Sequence, residues 1–436
     1  MEMFRDLLEL RRLLRHPKLS SGELDRLQTI KLQSLIRHAY QNVPYYQLLF
    51  RSAGLSQEDI RSIEDLKYLP ITTKEDLKAA GLERIIAKGI SPTSCRRMDT
   101  SGSSGKPFTV YLTSHEARMR RLIEFRSLLS IGFHPGDRLS VLGPEHPHPT
   151  RFHQRLGFYR SENISVFLPI EMQVRQLEKM RPTIFWAYPT LLRALLHHAG
   201  DHLNKIIRPR MLITSAEPLD EITKERAQAV WDMERFNFYG AVEVGRIATE
   251  CPSHEGLHVN TDHLILECLD GDRPTESGKP GTVLVTTLNA RAMPFIRYRL
   301  GDISTPIAKK CTCGSSFPLI GPVQGREEDM IQLPSGKLLS SFGLQFILRP
   351  FNRIDQFRFI QKSPEHLLLQ LAIQGSLHEN FLSKIKAGFL EYLGEPMQVE
   401  IQIVNFAQED RKFNTFINLN KTARQKDLTD NLNLMK

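Results

Sequence analysis

The sequence contains no uninterrupted apolar run near the roughly 18 residues that a membrane-spanning helix requires. Its opening stretch, MEMFRDLLELRRLLRH, interleaves acids and bases with its apolar positions, unlike a secretory leader. Cysteine is scarce and odd in number, five in 436 residues, which argues against a disulfide framework and for a reducing compartment. The expected location is therefore cytoplasmic. Glycine (26) and proline (25) are too few for a collagen-like or low-complexity chain, and no repeat recurs at solenoid periods. Neither a nucleic-acid fingerprint nor a basic tract with interleaved aromatics is present, so no nucleic-acid and no membrane partner is expected.

What remains is ordinary globular usage, 41% hydrophobic and 25% charged, in a chain long enough for about two or three domains. The net charge of +9 suits nucleic acid, an anionic membrane surface or phosphorylated cofactors, and charge alone does not choose among them. The densest basic clusters, Arg11, Arg12 and Arg15, then Arg118, Arg120 and Arg121, fall within helical patterns and read as solvated polar faces.

From Arg138 onward, β-rich runs (RLSVLGP, ISVFLP, IFWAYP, RMLITSAEP, RFNFYG) alternate with helical segments such as QVRQLEKM and DEITKERAQAVWDM. That alternation predicts βαβ units and a largely parallel sheet. LILECLD and GTVLVTTLNA follow without a long helix between them, which predicts a switch to antiparallel pairing. After Gly325 the pattern becomes helix 342–351, strands 356–361 and 367–373, helix 377–393 and the strand VEIQIV, a small α+β domain. The expected division is 1–325 and 326–436.

The segment Asp99-Thr100-Ser101-Gly102-Ser103-Ser104-Gly105-Lys106-Pro107 can offer phosphates backbone N–H groups, hydroxyls and one ammonium. It is not a Walker A loop, because two residues rather than four separate its glycines and Pro107 stands where a magnesium-ligating Ser or Thr would be. Downstream come Ser215-Ala216-Glu217-Pro218, Tyr239-Gly240-Ala241-Val242-Glu243, Arg297-Tyr298-Arg299-Leu300-Gly301-Asp302 and Gly325-Arg326-Glu327-Glu328-Asp329. In that order, and with NVPYYQ and LPITTKEDL before them, these segments resemble the adenylate-forming enzymes, specifically the phenylacetate-CoA ligase family.

The resemblance implies an α/β fold, with a large N-terminal domain of mixed sheets and a small mobile α+β C-terminal domain. It implies an acid-thiol ligase that forms an acyl-adenylate from ATP and a carboxylic acid, aryl or arylacetic, and passes the acyl group to coenzyme A. It assigns Thr100, Ser101, Gly102, Ser103, Ser104, Gly105 and Lys106 to the β- and γ-phosphates. Glu243 resembles the Mg²⁺-associated glutamate, and Tyr239 and Gly240 would line the adenine and acyl pockets. Asp302 resembles the aspartate that accepts both ribose hydroxyls, Arg326 the ribose- and phosphate-contacting arginine, and Ala216, Glu217 and Pro218 the segment at the adenine pocket. Arg297 and Arg299 either pair with carboxylates at the site or structure their loop. Lys412 falls where the family places a catalytic lysine, although Arg411 replaces the usual preceding glycine. Glu328 stands where the family usually has its hinge residue.

Cys251, His254 and His258 lie in CPSHEGLH, and Cys311 and Cys313 in CTCG; thiolates with an imidazole suit tetrahedral zinc. The resemblance makes Cys251, His258, Cys311 and Cys313 the closest match to a structural Zn²⁺ site, with His254 as a substitute ligand. The stretch between Gly132 and Pro169 departs from the glycine-rich sequence of the phenylacetate enzymes and borders the acyl pocket, so the acid stays open. So does the acceptor, coenzyme A or a carrier protein or an amine. A homodimer is one of the oligomeric states the sequence allows.

Overall fold

The computed structural model describes residues 2–100, 108–143, 152–200, 202–327, 330–336, 338–348, 351, 353–373, 379–405 and 415–419. The chain divides into two compact units: residues 1–134 with 236–323, and 135–235 with 324–436. No helix among the described residues is long and apolar enough to cross a membrane.

The first unit is largely antiparallel in its sheets. Arg273–Pro274, Leu264–Asp270, Gly281–Thr287 and Tyr298–Ser304 form one four-stranded sheet in that order, as the missing helix between LILECLD and GTVLVTTLNA predicts. Pro306–Ile307, Leu319–Ile320, Leu257–Val259, Gly245–Glu250 and Glu234–Ala241 pair successively, each antiparallel to the next. The hairpin Arg96–Asp99 with Thr109–Leu112 leads into the helix Ser114–Ser130. That helix starts sharply because Thr113 and Glu116 form a reciprocal capping box that satisfies two otherwise orphaned donors. Glu116 also accepts the backbone N–H groups of Arg291 and Ala292 at 2.6 and 3.2 Å, so the helix start is tied to a distant loop. An apolar cluster that includes Phe108, Val110, Val244, Ile247, Val285 and Phe295 fills the space behind these elements.

The second unit contains the predicted parallel sheet, in the order Arg160–Ser165, Arg138–Gly143, Ile184–Ala187, Met211–Ser215. All five residues of Met211–Ser215 are buried, as a parallel strand covered on both faces should be. One expected strand is displaced: ISVFLP was the predicted run, whereas the strand spans Arg160–Ser165 and the chain turns at Leu168, whose N–H donates to the Ser165 carbonyl. The hydrophobic run misled because this strand lies at the edge of the parallel set, and Phe167 is 61% exposed.

Within the same unit, strands Gln398–Ile403, His366–Ile373, Ile354–Ser363 and Phe416–Asn418 form a second sheet beside helices Ser341–Leu348 and Glu379–Leu393. These match the α+β pattern read after Gly325. Their core gathers Leu344, Leu348, Phe357, Phe359, Ile385 and Phe389.

Candidate active site and metal centre

Of the phosphate loop, Thr100 is described, while Ser101, Gly102, Ser103, Ser104, Gly105 and Lys106 lie outside the described residues, as do Glu328, Arg411 and Lys412. Thr100 is buried; its backbone N–H donates to the Phe108 carbonyl and its Oγ1 accepts the Phe108 N–H at 3.0 Å, closing the base of the loop. Lys74 Nζ reaches the same hydroxyl at 3.3 Å. This lysine was not singled out from sequence, although a signal existed. It is the first residue of the helix Lys74–Ala80, where a cation opposes the helix dipole, so its place there is locally unfavourable.

Tyr239 and Asp302, 63 residues apart, meet in the first unit: the Tyr239 hydroxyl donates to Asp302 Oδ2 at 2.7 Å. Tyr239 is buried and Asp302 half-buried, so the phenol holds one oxygen of a partly accessible residue. A Cβ on Gly240 would stand 2.8 Å from the Gly245 carbonyl oxygen, so the hairpin's own backbone demands glycine there. Glu243 sits in the turn that joins Glu234–Ala241 to Gly245–Glu250, buried, with the Tyr298 hydroxyl 3.4 Å from its Oε1. One carboxylate is the usual protein contribution to a magnesium ion whose other ligands are phosphate oxygens and water, so Glu243 fits that group.

Arg297 is buried and has a structural occupation. Its guanidinium donates to Glu267 at 3.1 to 3.3 Å and to the Leu69 carbonyl at 2.6 Å, with its own φ at +45°.

In the second unit, Ala216 follows the strand Met211–Ser215 at φ +70°, a conformation that a residue with a Cβ adopts only where its surroundings enforce it. Glu217 Oε2 accepts the Thr190 N–H at 3.0 Å and its hydroxyl at 2.5 Å, which caps the helix Pro189–Ala199. Pro218 continues this turn, and Arg326 lies in the same unit. Trp186 Nε1 donates to Ser215 Oγ at 2.8 Å, so the strand ends before Tyr188 and Ala216 are linked through side chains.

Cys251, Cys311 and Cys313 converge with His258, the set that the resemblance implies. One donor atom each from Cys251, His258, Cys311 and Cys313 lies within 4.8 Å of the other three, with Cys251 Sγ 3.5 Å from Cys311 Sγ and Cys313 Sγ 3.2 Å from His258 Nε2. His258 Nδ1 stands 2.9 Å from the Phe317 carbonyl, which fixes the tautomer that leaves Nε2 to the cluster. Burial pushes the Cys251 thiol up to about 12, a cost that a bound cation reverses. The donor set and its supporting hydrogen bond fit zinc. His254 is not part of it: its Nδ1 meets Glu250 Oε1 at 2.9 Å and its ring stacks on Phe236. Cys95 and Cys268 lie outside the cluster.

No family model matches the chain. The phenylacetate-coenzyme A ligase of Thermus thermophilus is 28% identical over 329 residues, 71% of this chain and 72% of that protein. The phenylacetate-coenzyme A ligase of Escherichia coli is 28% identical over 338 residues, covering 72% and 73%. The chain is similar to the phenylacetate-CoA ligases. Its fold matches that of 2-hydroxyisobutyryl-CoA ligase in complex with an acyl-adenylate at a TM-score of 0.81, over 95% of this chain and 94% of that one, at 19% identity. An anthranilate CoA ligase bound to anthranoyl-AMP matches at 0.56 over 78% and 69%, at 13% identity. The family resemblance and the α/β fold with mixed sheets both hold.

Proposed function

We propose that this relative of the phenylacetate-CoA ligases is an AMP-forming acid-thiol ligase whose substrate is an aryl or arylacetic acid. The carboxylate oxygen attacks the α-phosphorus of ATP, the bond to the bridging oxygen breaks, and pyrophosphate leaves with both electrons of that bond. The coenzyme A thiol, losing its proton, then attacks the acyl carbonyl and expels AMP. A free carboxylate is a poor electrophile, and the adenylate supplies the leaving group it lacks.

The observation that carries this reading is the Tyr239–Asp302 hydrogen bond in a chain whose sequence relatives are phenylacetate-CoA ligases. Asp302 accepts the two ribose hydroxyls, a bidentate task suited to a carboxylate already oriented by one donor. The loop from Thr100 to Lys106 receives the β- and γ-phosphates, with Lys74 adding charge at its base. Ala216 to Pro218 and Arg326 serve the nucleotide, and Lys412 offsets charge on the α-phosphate during adenylation. Magnesium, held by Glu243, would neutralise phosphate charge. Residues 326–436 act as the lid that changes position between the half-reactions. Cys251, His258, Cys311 and Cys313 would hold a zinc ion, which would brace the hairpins that carry these ligands.

Pyrophosphate release from ATP and magnesium, followed across aryl, arylacetic and fatty acids with and without coenzyme A, tests the reading. Release that requires an aryl or arylacetic acid, with thioester formed when coenzyme A is added, is the expected result. Silence with every acid, in a protein that binds ATP, contradicts it. AMP formation that requires a carrier protein or an amine moves the acceptor elsewhere. Lys412→Ala is expected to slow adenylation while sparing thioester formation from supplied acyl-adenylate.

A further inference from the structure

Arg120, which its sequence neighbours place on a solvated helix face, turns inward. Its Nη1 donates to the Val242 carbonyl at 2.8 Å and its Nη2 to the Glu243 carbonyl at 2.5 Å. The next carbonyl in the chain, that of Val244, lies 3.0 Å from Nε2 of the buried His263. Three successive carbonyls of the Glu243 turn are thus held by side chains from outside the turn. The helix Ser114–Ser130 is itself fixed along this hairpin. Glu124 grips Arg246 with both oxygens at 2.9 and 3.0 Å, and Ser127 meets Thr249 at 3.0 Å, so positions 120, 124 and 127 form rungs one turn apart.

Space at the turn is shaped for the same guanidinium. Gly245 has φ +85°, and a Cβ there would stand 3.2 Å from Arg120 Cδ. Glu116 and Glu243 supply the opposing charge, while burial pushes the arginine's pKa down to about 10, still a cation at neutral pH. A planar fork that meets two consecutive carbonyls is a task a lysine cannot duplicate.

We propose that Arg120 is a positioning residue for Glu243: by pinning the carbonyls of Val242 and Glu243 it aims the Glu243 carboxylate and thereby sets the affinity for a divalent cation bound with ATP. The inference rests on the proposed role of Glu243. It assigns Arg120 no contact with substrate, and it separates metal-assisted from metal-free nucleotide binding, which simple bracing of a helix against a sheet would not do.

The test is calorimetric titration of the full chain with ATP, once with Mn²⁺ as the metal and once with a chelator, for wild type, Arg120→Met and Arg120→Lys. Removing hydrogen bonds to a charged donor should weaken Mn²⁺–ATP binding about tenfold in Arg120→Met and less in Arg120→Lys, with metal-free ATP affinity within about twofold of wild type. Equal losses in both titrations, or none in either, overturn the inference alone. A wild type whose ATP affinity is indifferent to Mn²⁺ overturns the metal role of Glu243 along with it. Should Arg120→Met fail to fold, Arg120→Lys with wild-type melting decides: a selective loss with Mn²⁺ supports the inference, and wild-type metal dependence overturns it.

Discussion

Cys251, His258, Cys311 and Cys313 face one another within 4.8 Å, whereas Glu243 and Asp302, in the same unit, each receive a tyrosine hydroxyl, from Tyr298 and Tyr239. The first group is a closed donor set, complete without substrate and steadied by the Phe317 carbonyl, as structural zinc sites are. The second is a pair of carboxylates, each oriented by a scaffold hydroxyl, whose proposed partners are the nucleotide and its cation. The difference teaches where each should respond: loss of a closed set is felt in stability, loss of an open one in ligand affinity.

Metal removal should give the largest effect. Chelation or Cys311→Ser is expected to lower the melting temperature by about 10 °C, since binding energy at such a site is folding energy. Scanning calorimetry with metal analysis checks it, and a chelated protein that releases zinc without losing stability breaks the comparison. Next is Asp302→Ala, expected to weaken ATP binding about a hundredfold by leaving the ribose hydroxyls without their charged acceptor, with zinc content unchanged. Wild-type affinity by calorimetry would remove Asp302 from the nucleotide site.

Tyr239→Phe sharpens the contrast by keeping the carboxylate and deleting its orienting donor. The loss of one hydrogen bond to a charged group predicts about a tenfold rise in the KM for ATP, with little change in melting temperature. The smallest effect belongs to His254→Ala. Its contact with Glu250 is solvent-exposed and its ring stacks on Phe236, so stability should fall by about 0.5 to 1.5 kcal/mol and zinc should be retained in full. Zinc loss in this variant, measured by elemental analysis, would return His254 to the ligand set.

Much of this was legible in the chain because local chemistry repeats local pattern. The continuous apolar runs at Ile184–Ala187 and Met211–Ser215 gave buried parallel strands, and the family resemblance, rather than spacing, pointed to the Cys251, His258, Cys311 and Cys313 cluster. What stayed hidden depends on tertiary distance. The resemblance puts Tyr239 and Asp302 at one nucleotide site but not in one hydrogen bond, and nothing in the sequence joins Arg120 to a turn 122 residues away. Arg120 reads like its neighbour Arg121, which is exposed, and only the helix phase against the hairpin tells them apart. Gly240 illustrates the reverse. Its glycine reads as room for a ligand, yet the Gly245 carbonyl alone accounts for it.

The most direct test is a single-turnover experiment. Enzyme is mixed with ATP, magnesium and an accepted aryl or arylacetic acid in the absence of coenzyme A, quenched and examined by mass spectrometry, then repeated with a coenzyme A chase. The account predicts one enzyme-bound acyl-adenylate per chain before the chase, replaced by acyl-CoA and AMP after it. ADP and phosphate as products, or thioester formed with no adenylate preceding it, would contradict the account.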